Sequence, residues 1–368
     1  MKNILRVSVA TAAIVLASAS LAADGDGPDF FVTGTLGVRF DDNIYLSNQA
    51  TDDVIFDVVP GMALEFGKNA NLRTSLTFAE AFARYSDNDQ LDSSLFSGIL
   101  SSNYDDEKLK FSFGTSFRQV DQNTVDIRDL TRRDIFNIRA NMEMLLTAKS
   151  SVALGAMFDR TNYERANYAD TEIKTVPLNY YLKMTPKVDM SFGYRFRDTQ
   201  VSIGQDSQDN VGGRGEFTPK LTGSFAVGYN RRIISGGTNR DQLGVNSAFT
   251  YSVTPKTLVQ FGIDNDFGTS GTGSQQKNFT VSTGVSTRVT EQWGYSIGLS
   301  RREISYDTRR DTYWEGQFGV DYTIKTGISV LASYTYRNNS STLSLPSSPA
   351  YDPNFKNNVF SVAANFRF

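Results

Sequence analysis

Strict alternation at the C-terminal end of the chain is the feature that most constrains its fold. Between Val359 and Phe368, apolar or aromatic side chains alternate with small or polar ones. Alternate residues of a β-strand share a face, so one face of this segment is apolar throughout: Phe360, Val362, Ala364, Phe366 and Phe368. An edge strand with such a face would aggregate in water. The pattern favours an all-β transmembrane barrel, in which this face meets lipid.

The N-terminal segment predicts export. A basic start, Lys2 and Arg6, precedes a short alanine-rich apolar stretch that ends in small residues at Ser20-Leu21-Ala22. These are the parts of a secretory signal peptide. We therefore expect a signal peptide at residues 1–22, a short segment at 23–29 and a single barrel at 30–368.

Composition excludes several classes of function. The chain has no histidine and no cysteine. Ser-His-Asp and Cys-His catalysis and imidazole-ligated metal sites therefore cannot be built, and we expect no enzyme activity, no cofactor and no metal. The formal net charge of -3, which becomes more negative once Lys2 and Arg6 are removed, argues against a nucleic-acid partner.

Alternating segments continue from Phe30 to the end of the chain, and the connections between them fall into two classes. Short turns alternate with longer polar connections, which predicts about 18 antiparallel strands with both termini on the short-turn side. Three short turns share the tripeptide Thr-Pro-Lys, at 185–187, 218–220 and 254–256. The longer connections centre on residues 41–53, 87–92, 119–133, 161–170, 198–210, 230–241, 269–276, 303–311 and 338–354.

The polar parity of these strands predicts an aqueous lumen, because a barrel of this size is too wide for side chains to fill. Its charged members would hydrogen-bond hydroxylated or weakly charged solutes, with the arginines favouring anions. They would equally serve to neutralise one another. The candidate lining residues are Arg39, Arg139, Glu143, Arg195, Arg197, Arg214, Asp264, Arg288, Glu315, Asp321 and Arg337.

Some features fit the alternation less simply. Glu80 and Arg84 fall on the apolar parity of residues 72–85, and residues 95–104 are apolar on both faces. A bulge or a lumen-side packing element would account for either. Aromatic residues near strand ends predict interfacial girdles: Tyr85, Tyr104, Trp293, Tyr295, Tyr313, Tyr322 and Tyr336. The charged connection 119–133 and the long connection 338–354 are the candidates for a constriction.

The first strands resemble a known family. The run Phe40-Asp41-Asp42-Asn43-Ile44, then Val58-Val59-Pro60-Gly61, then Ala83-Arg84-Tyr85 is similar to the opening of the β-barrel porin 2 family. The resemblance does not extend beyond Asp92. It implies an outer-membrane barrel that serves as a conduit for exopolysaccharide export, with polysaccharide and periplasmic export components as partners.

Three functions are therefore open. They are an export conduit, a general or nutrient-uptake porin, and a structural or adhesive surface barrel with a closed lumen. For each, we expect the bacterial outer membrane as location and outer-membrane lipid as partner. We also expect the barrel-assembly machinery to recognise Phe360, Phe366 and Phe368.

Overall fold

The computed structural model describes residues 27–121, 130–200, 204–234, 237–343 and 352–368. A single short 3₁₀ helix, Asp89–Leu91, accompanies the strands in these ranges, and none of their helices is long and apolar enough to cross a membrane. The residues predicted as a signal peptide lie outside the described part. The strands are β1 Asp29–Asp41, β2 Asp53–Phe66, β3 Leu72–Tyr85, β4 Ser93–Asp105, β5 Leu109–Asp121, β6 Arg132–Thr147, β7 Ser150–Tyr163, β8 Thr171–Lys183, β9 Val188–Thr199, β10 Gly204–Thr218, β11 Leu221–Ile234, β12 Arg240–Thr254, β13 Thr257–Thr269, β14 Gln275–Arg288, β15 Trp293–Ser305, β16 Arg309–Lys325, β17 Ile328–Leu343 and β18 Phe355–Arg367.

The strands form one closed antiparallel sheet of 18 strands, as the alternation predicts. Each strand pairs with the next along the chain, and β1 pairs with β18 from Thr33↔Arg367 to Asp41↔Val359. At the end of this seam the backbone of Val32 and that of Phe368 exchange hydrogen bonds of 2.8 and 3.0 Å. Closure leaves no free sheet edge, which is the condition for a sheet to stand in a bilayer.

An apolar belt covers the outside of the barrel. Large apolar side chains on the outward parity are exposed. In water, each Å² of this apolar surface would cost about 25 cal/mol of free energy. A hydrocarbon layer removes that penalty, because the belt then faces a medium as apolar as itself. Its members include Val32, Leu36, Phe56, Val58, Leu178, Phe192, Ile297, Phe318, Phe360 and Val362.

Threonine side chains fix several short turns. In the first Thr-Pro-Lys turn, Thr185 Oγ1 accepts hydrogen bonds from the backbone N–H groups of Lys187 (3.2 Å) and Val188 (3.0 Å). Thr218 does the same in the second turn, and Thr254 accepts from Lys256. The shared tripeptide is therefore turn chemistry, in which proline fixes the backbone and threonine satisfies the freed donors.

Aspartate replaces threonine in the turn between β4 and β5. Asp106 accepts hydrogen bonds from the backbone N–H groups of Leu109 (2.6 Å) and Lys108 (2.7 Å). These bonds favour the ionised carboxylate, so they hold the pKa of Asp106 below its usual value.

Most of the longer connections are shorter than predicted. The polar segment expected as the connection 198–210 is strand from Gly204 onward, and residues 306–308 alone join β15 to β16. Polar residues on both faces of a strand look like a loop in the sequence. Here they form arms of the sheet that continue beyond the apolar belt.

The two irregular segments are regular strands. β3 and β4 pair without interruption from Leu72↔Tyr104 to Ala83↔Ser93, so no bulge is present. Glu80 stays on the outward face, where Ser94 donates a hydrogen bond to it, and Arg84 lies 3.4 Å from Asp92. Two of the predicted girdle residues, Tyr85 and Tyr313, lie instead on the inward face, and Tyr313 is buried.

A polar clasp fastens the seam at the end opposite the chain termini. Asp42 accepts hydrogen bonds of 2.6 Å from both the backbone N–H and the side-chain amide of Asn358. Asp41 accepts one of 2.6 Å from the amide of Asn357, and the buried Asn43 donates to the carbonyl of Lys356 at 2.8 Å. The run Asp41-Asp42-Asn43 therefore joins the first strand to the last.

Replacing Asp42 with alanine should weaken the seam. The change removes two charge-assisted hydrogen bonds, so we expect the free energy of unfolding to fall by about 1–3 kcal/mol. Denaturant unfolding of the barrel in detergent micelles measures this loss. Asp52→Ala is the matched control, because Asp52 is an exposed carboxylate of the same connection. Equal stability of the two variants would contradict the clasp.

Candidate functional site on the inner wall

The residues predicted to line the lumen lie on the inward parity of their strands, and most of them are held in ion pairs. Opposite charges held close together reduce the cost of placing so many ionised groups inside the barrel. Asp264 accepts a hydrogen bond of 3.1 Å from Asn246. The paired residues are Arg39 with Asp57 (3.0 Å), Arg139 with Asp159 (4.0 Å), Arg195 with Asp266 (2.9 Å), Arg214 with Glu143 (2.5 Å), Arg288 with Asp321 (2.8 Å) and Arg337 with Glu315 (3.2 Å).

Three arginines form a cluster in the half of the wall away from the short turns. We call Arg195, Arg197 and Arg232 the arginine clamp. Arg197 lies 2.6 Å from Asp206 and 3.1 Å from Asp266. Arg232 is 1% exposed and is held by Asp206 at 2.5 Å. Each carboxylate bridges two arginines, so the cluster acts as one network rather than as separate pairs.

The arginine clamp holds a hairpin that folds inward. β13 stops pairing with β12 after Asn265, whereas its pairing with β14 continues to Thr269↔Gln275. Residues 266–276, which we call the inner hairpin, cross the inside of the barrel towards β9–β11. Arg197 donates to the carbonyl of Phe267 at 2.9 Å, and Arg232 donates to that of Gly268 at 2.8 Å.

Additional contacts fix the inner hairpin on the wall. Asn230 donates to Asp266 at 3.0 Å, and the Phe267 ring is 3% exposed and lies 4.9 Å from the Arg232 guanidinium. The tip reaches the connection between β7 and β8, where the N–H of Ala169 donates to the carbonyl of Gly271 at 3.0 Å. The hairpin therefore narrows the mouth of the barrel.

The first connection also folds inward at this mouth. Leu46 is buried against Ile304, Tyr313 and Phe355, which lie on the inner faces of β15, β16 and β18. Ile44 packs in the same way against Ile55 and Ala83 of β2 and β3. Apolar packing thus replaces part of the aqueous lumen along this side of the mouth.

A second network lies near the short turns. The Arg214 guanidinium pairs with Glu143, lies 3.2 Å from Asp189 and stacks 3.3 Å from the centre of the Tyr181 ring. Ser151 donates to Glu143 at 2.6 Å. These residues come from β6 to β10, so the network joins five consecutive strands across the inner wall.

Among the described residues, the inner hairpin and the first connection narrow the mouth, and the two segments predicted as a constriction stay a prediction. Most of the connection 119–133 and the centre of 338–354 lie outside the described residues. The sequence predicts an ordinary longer connection at residues 269–276, and Gly268-Thr269-Ser270-Gly271 has the composition of a flexible loop. Its inward course depends on contacts with β9–β11, which no local pattern signals.

Sequence reasoning also missed residues of the arginine clamp network. Asp206 and Arg232 fall in the segments 198–210 and 230–241, which the sequence predicts as connections, although they continue the inward parity of β10 and β11. Extending the alternation past the last apolar residue of each strand would have found them. Asp189 already falls on the polar parity of β9, and the register of β9 with β10 places it opposite Arg214.

Comparison with known proteins supports the fold. No family model matches the chain, and no curated protein matches its sequence. OccK2 (OpdF) of Pseudomonas aeruginosa is 7% identical with a TM-score of 0.51, over 93% of this chain and 97% of that one. OccAB2 of Acinetobacter baumannii is 10% identical with a TM-score of 0.50, over 93% and 98%. The likeness shows a barrel of the outer-membrane porin type, and at this identity it transfers no residue roles.

Replacing Asp266 with asparagine should release the inner hairpin. The clamp would lose a carboxylate that is bound by two arginines, at a cost of about 3 kcal/mol. That is roughly a hundredfold shift towards the displaced hairpin. Single-channel recordings should then show a larger or more variable conductance than the unsubstituted barrel.

Asp264→Asn provides the control for this change. Asp264 lies on the same inward face of β13, but its hydrogen-bond partner is Asn246 rather than the arginine clamp. Its conductance should stay close to that of the unsubstituted barrel. If both variants conduct alike, the carboxylate of Asp266 does not hold the constriction.

Proposed function

We propose that the protein is a passive diffusion channel in the bacterial outer membrane, of the general or nutrient-uptake type. One observation carries the proposal. The closed barrel is apolar on its outer surface, its inner wall carries charged and amide side chains, and the inner hairpin narrows its mouth. Such a lumen offers hydrophilic solutes a path that the surrounding hydrocarbon denies them. The absence of histidine and cysteine from the sequence supports a role without catalysis.

The proposed location rests on the chain's own features. The predicted signal peptide at residues 1–22 provides for export, and the apolar belt requires lipid around the barrel. The inserting machinery would recognise the aromatic face that Phe360 and Phe366 of β18 form with Phe368, the residue that follows the strand. The ring of Phe368 is 65% exposed, which leaves it open to such contact.

Exopolysaccharide export is the second candidate. It rests on the resemblance of residues 40–85 to the β-barrel porin 2 family. However, one part of that resemblance, Asp41-Asp42-Asn43, fastens the seam, and this role explains the motif without reference to a cargo. A mouth narrowed by the inner hairpin also suits small solutes better than a polymer chain. We therefore favour uptake.

Conductance in planar lipid bilayers tests the proposal. We expect stable stepwise openings with weak ion selectivity, because most of the lining arginines named above are paired with carboxylates. Small polyethylene glycols should enter the lumen and reduce the conductance, whereas long ones should be excluded. The control is the same preparation after heat unfolding, which should not conduct.

Two results would contradict the uptake channel. Folded barrel that inserts into the bilayer without opening would favour a structural barrel with a closed lumen. Passage of long dextran chains, together with loss of surface polysaccharide after gene deletion, would favour the export conduit.

A further inference from the structure

We propose that a cavity on the inner wall near the short turns binds neutral, polyhydroxylated solutes with the dimensions of a sugar ring. The inference rests on the proposed channel function and names a solute class for it. We call this cavity the amide pocket.

The amide pocket lies where β4 to β8 approach the short-turn side. Its volume is about 380 Å³, which is within the lower range of small-molecule sites. The side chains that reach it from the inward parity are chiefly amides and hydroxyls: Asn103, Ser112, Asn141, Glu143, Asn179 and Tyr181.

The central amides of the pocket are available to a ligand. Among the described residues, the side chains of Asn141 and Asn179 have no hydrogen-bond partner in the protein, and Asn141 is exposed to the lumen. An amide offers both a donor and an acceptor, as a sugar hydroxyl does. Asn141 on β6 and Asn179 on β8 can therefore each bind a different hydroxyl of one solute, as donor or as acceptor.

Two glycines make room for these amides. A Cβ on Gly155 would lie 2.7 Å from Asn141 Oδ1, and a Cβ on Gly193 would collide with Asn179 Oδ1. The amides can consequently lie across the neighbouring strand, flat against the wall. A flat polar surface of this kind suits a ring with hydroxyls along its edge.

The charges around the amide pocket point to a neutral ligand. Glu143 is bound by Arg214 at 2.5 Å and by Ser151 at 2.6 Å. At the rim, Lys110 lies 3.8 Å from Asp105. A charged ligand would have to compete with these pairs, whereas a neutral one can leave them intact.

The stack of Arg214 on Tyr181 gives the pocket a firm side. The guanidinium lies 3.3 Å from the ring centre and is also held by Asp189 at 3.2 Å. Because the Tyr181 and Arg214 side chains are already held in place, they lose little conformational entropy when a solute binds, and this lowers the cost of binding.

Binding can be measured on the whole barrel by two independent methods. Isothermal titration in detergent micelles with glucose and maltose detects binding whether or not the barrel conducts. Current block by the same sugars in planar bilayers detects binding within the conducting lumen. Glucuronate and glucosamine, which carry the same ring with opposite charges, serve as comparators. We expect both neutral sugars to bind more tightly than both charged ones.

The double variant Asn141→Ala, Asn179→Ala removes the free amides. Each lost hydrogen bond contributes modestly, so we expect affinity for glucose to fall about tenfold. Ala153→Leu fills the cavity without removing an amide and should also lower affinity. Gln260→Ala is the matched control, because Gln260 is an exposed inward amide on β13, away from the pocket. Far-UV circular dichroism establishes that each variant is folded.

The outcomes separate this site from the channel itself. If the barrel conducts but binds no neutral sugar in either assay, the site is wrong and the channel stands. If it binds sugar by titration without conducting, the channel is wrong and the site stands. Tighter binding of glucuronate or glucosamine, or an equal loss in the Gln260→Ala control, would also overturn the site.

Discussion

The need to pair every backbone amide determines the rest of this structure. A sheet that stands in hydrocarbon cannot leave an edge, since each unpaired N–H or C=O group would cost several kcal/mol. The chain meets this condition by pairing β1 with β18 and by fastening the join with Asp41, Asp42 and Asn43. With closure fixed, strict alternation assigns one parity of every strand to lipid and the other to the enclosed space. The apolar belt and the charged inner wall are two results of the same geometry.

Electrostatic balance then shapes the lumen. Arginines and carboxylates along the inner wall neutralise one another, and the network around the arginine clamp uses that pairing to position the inner hairpin. The same principle operates near the short turns, where Arg214 links Glu143, Asp189 and Tyr181. Charge is therefore used mainly to hold the wall and the constriction in place. The groups left free for a solute in the amide pocket are amides, and these favour neutral, hydroxylated molecules in the proposed channel.

Local pattern predicted the strand number and the closed antiparallel fold, because a period of two is a property of each strand alone. It failed where the relevant contacts are distant in sequence. Asp42 and Asn358 lie near opposite ends of the sequence but form hydrogen bonds with each other. The sequence around either residue gives no indication of this contact. The inner hairpin has the composition of an ordinary loop, and its course depends on arginines of β9 and β11. Residues 204–210 have no apolar face, so their strand pairing could not be seen in the alternation.

In the proposed channel, alternate residues of each strand face an aqueous lumen and a lipid exterior. Because the chain has no cysteine, single cysteines can be introduced without background. Gln260 and Phe261 are neighbours on β13, the first inward and the second 42% exposed on the apolar belt. In lipid vesicles, a water-soluble, membrane-impermeant maleimide should label the Gln260→Cys variant rapidly and the Phe261→Cys variant slowly. Equal labelling of the two positions, or faster labelling of position 261, would contradict the account.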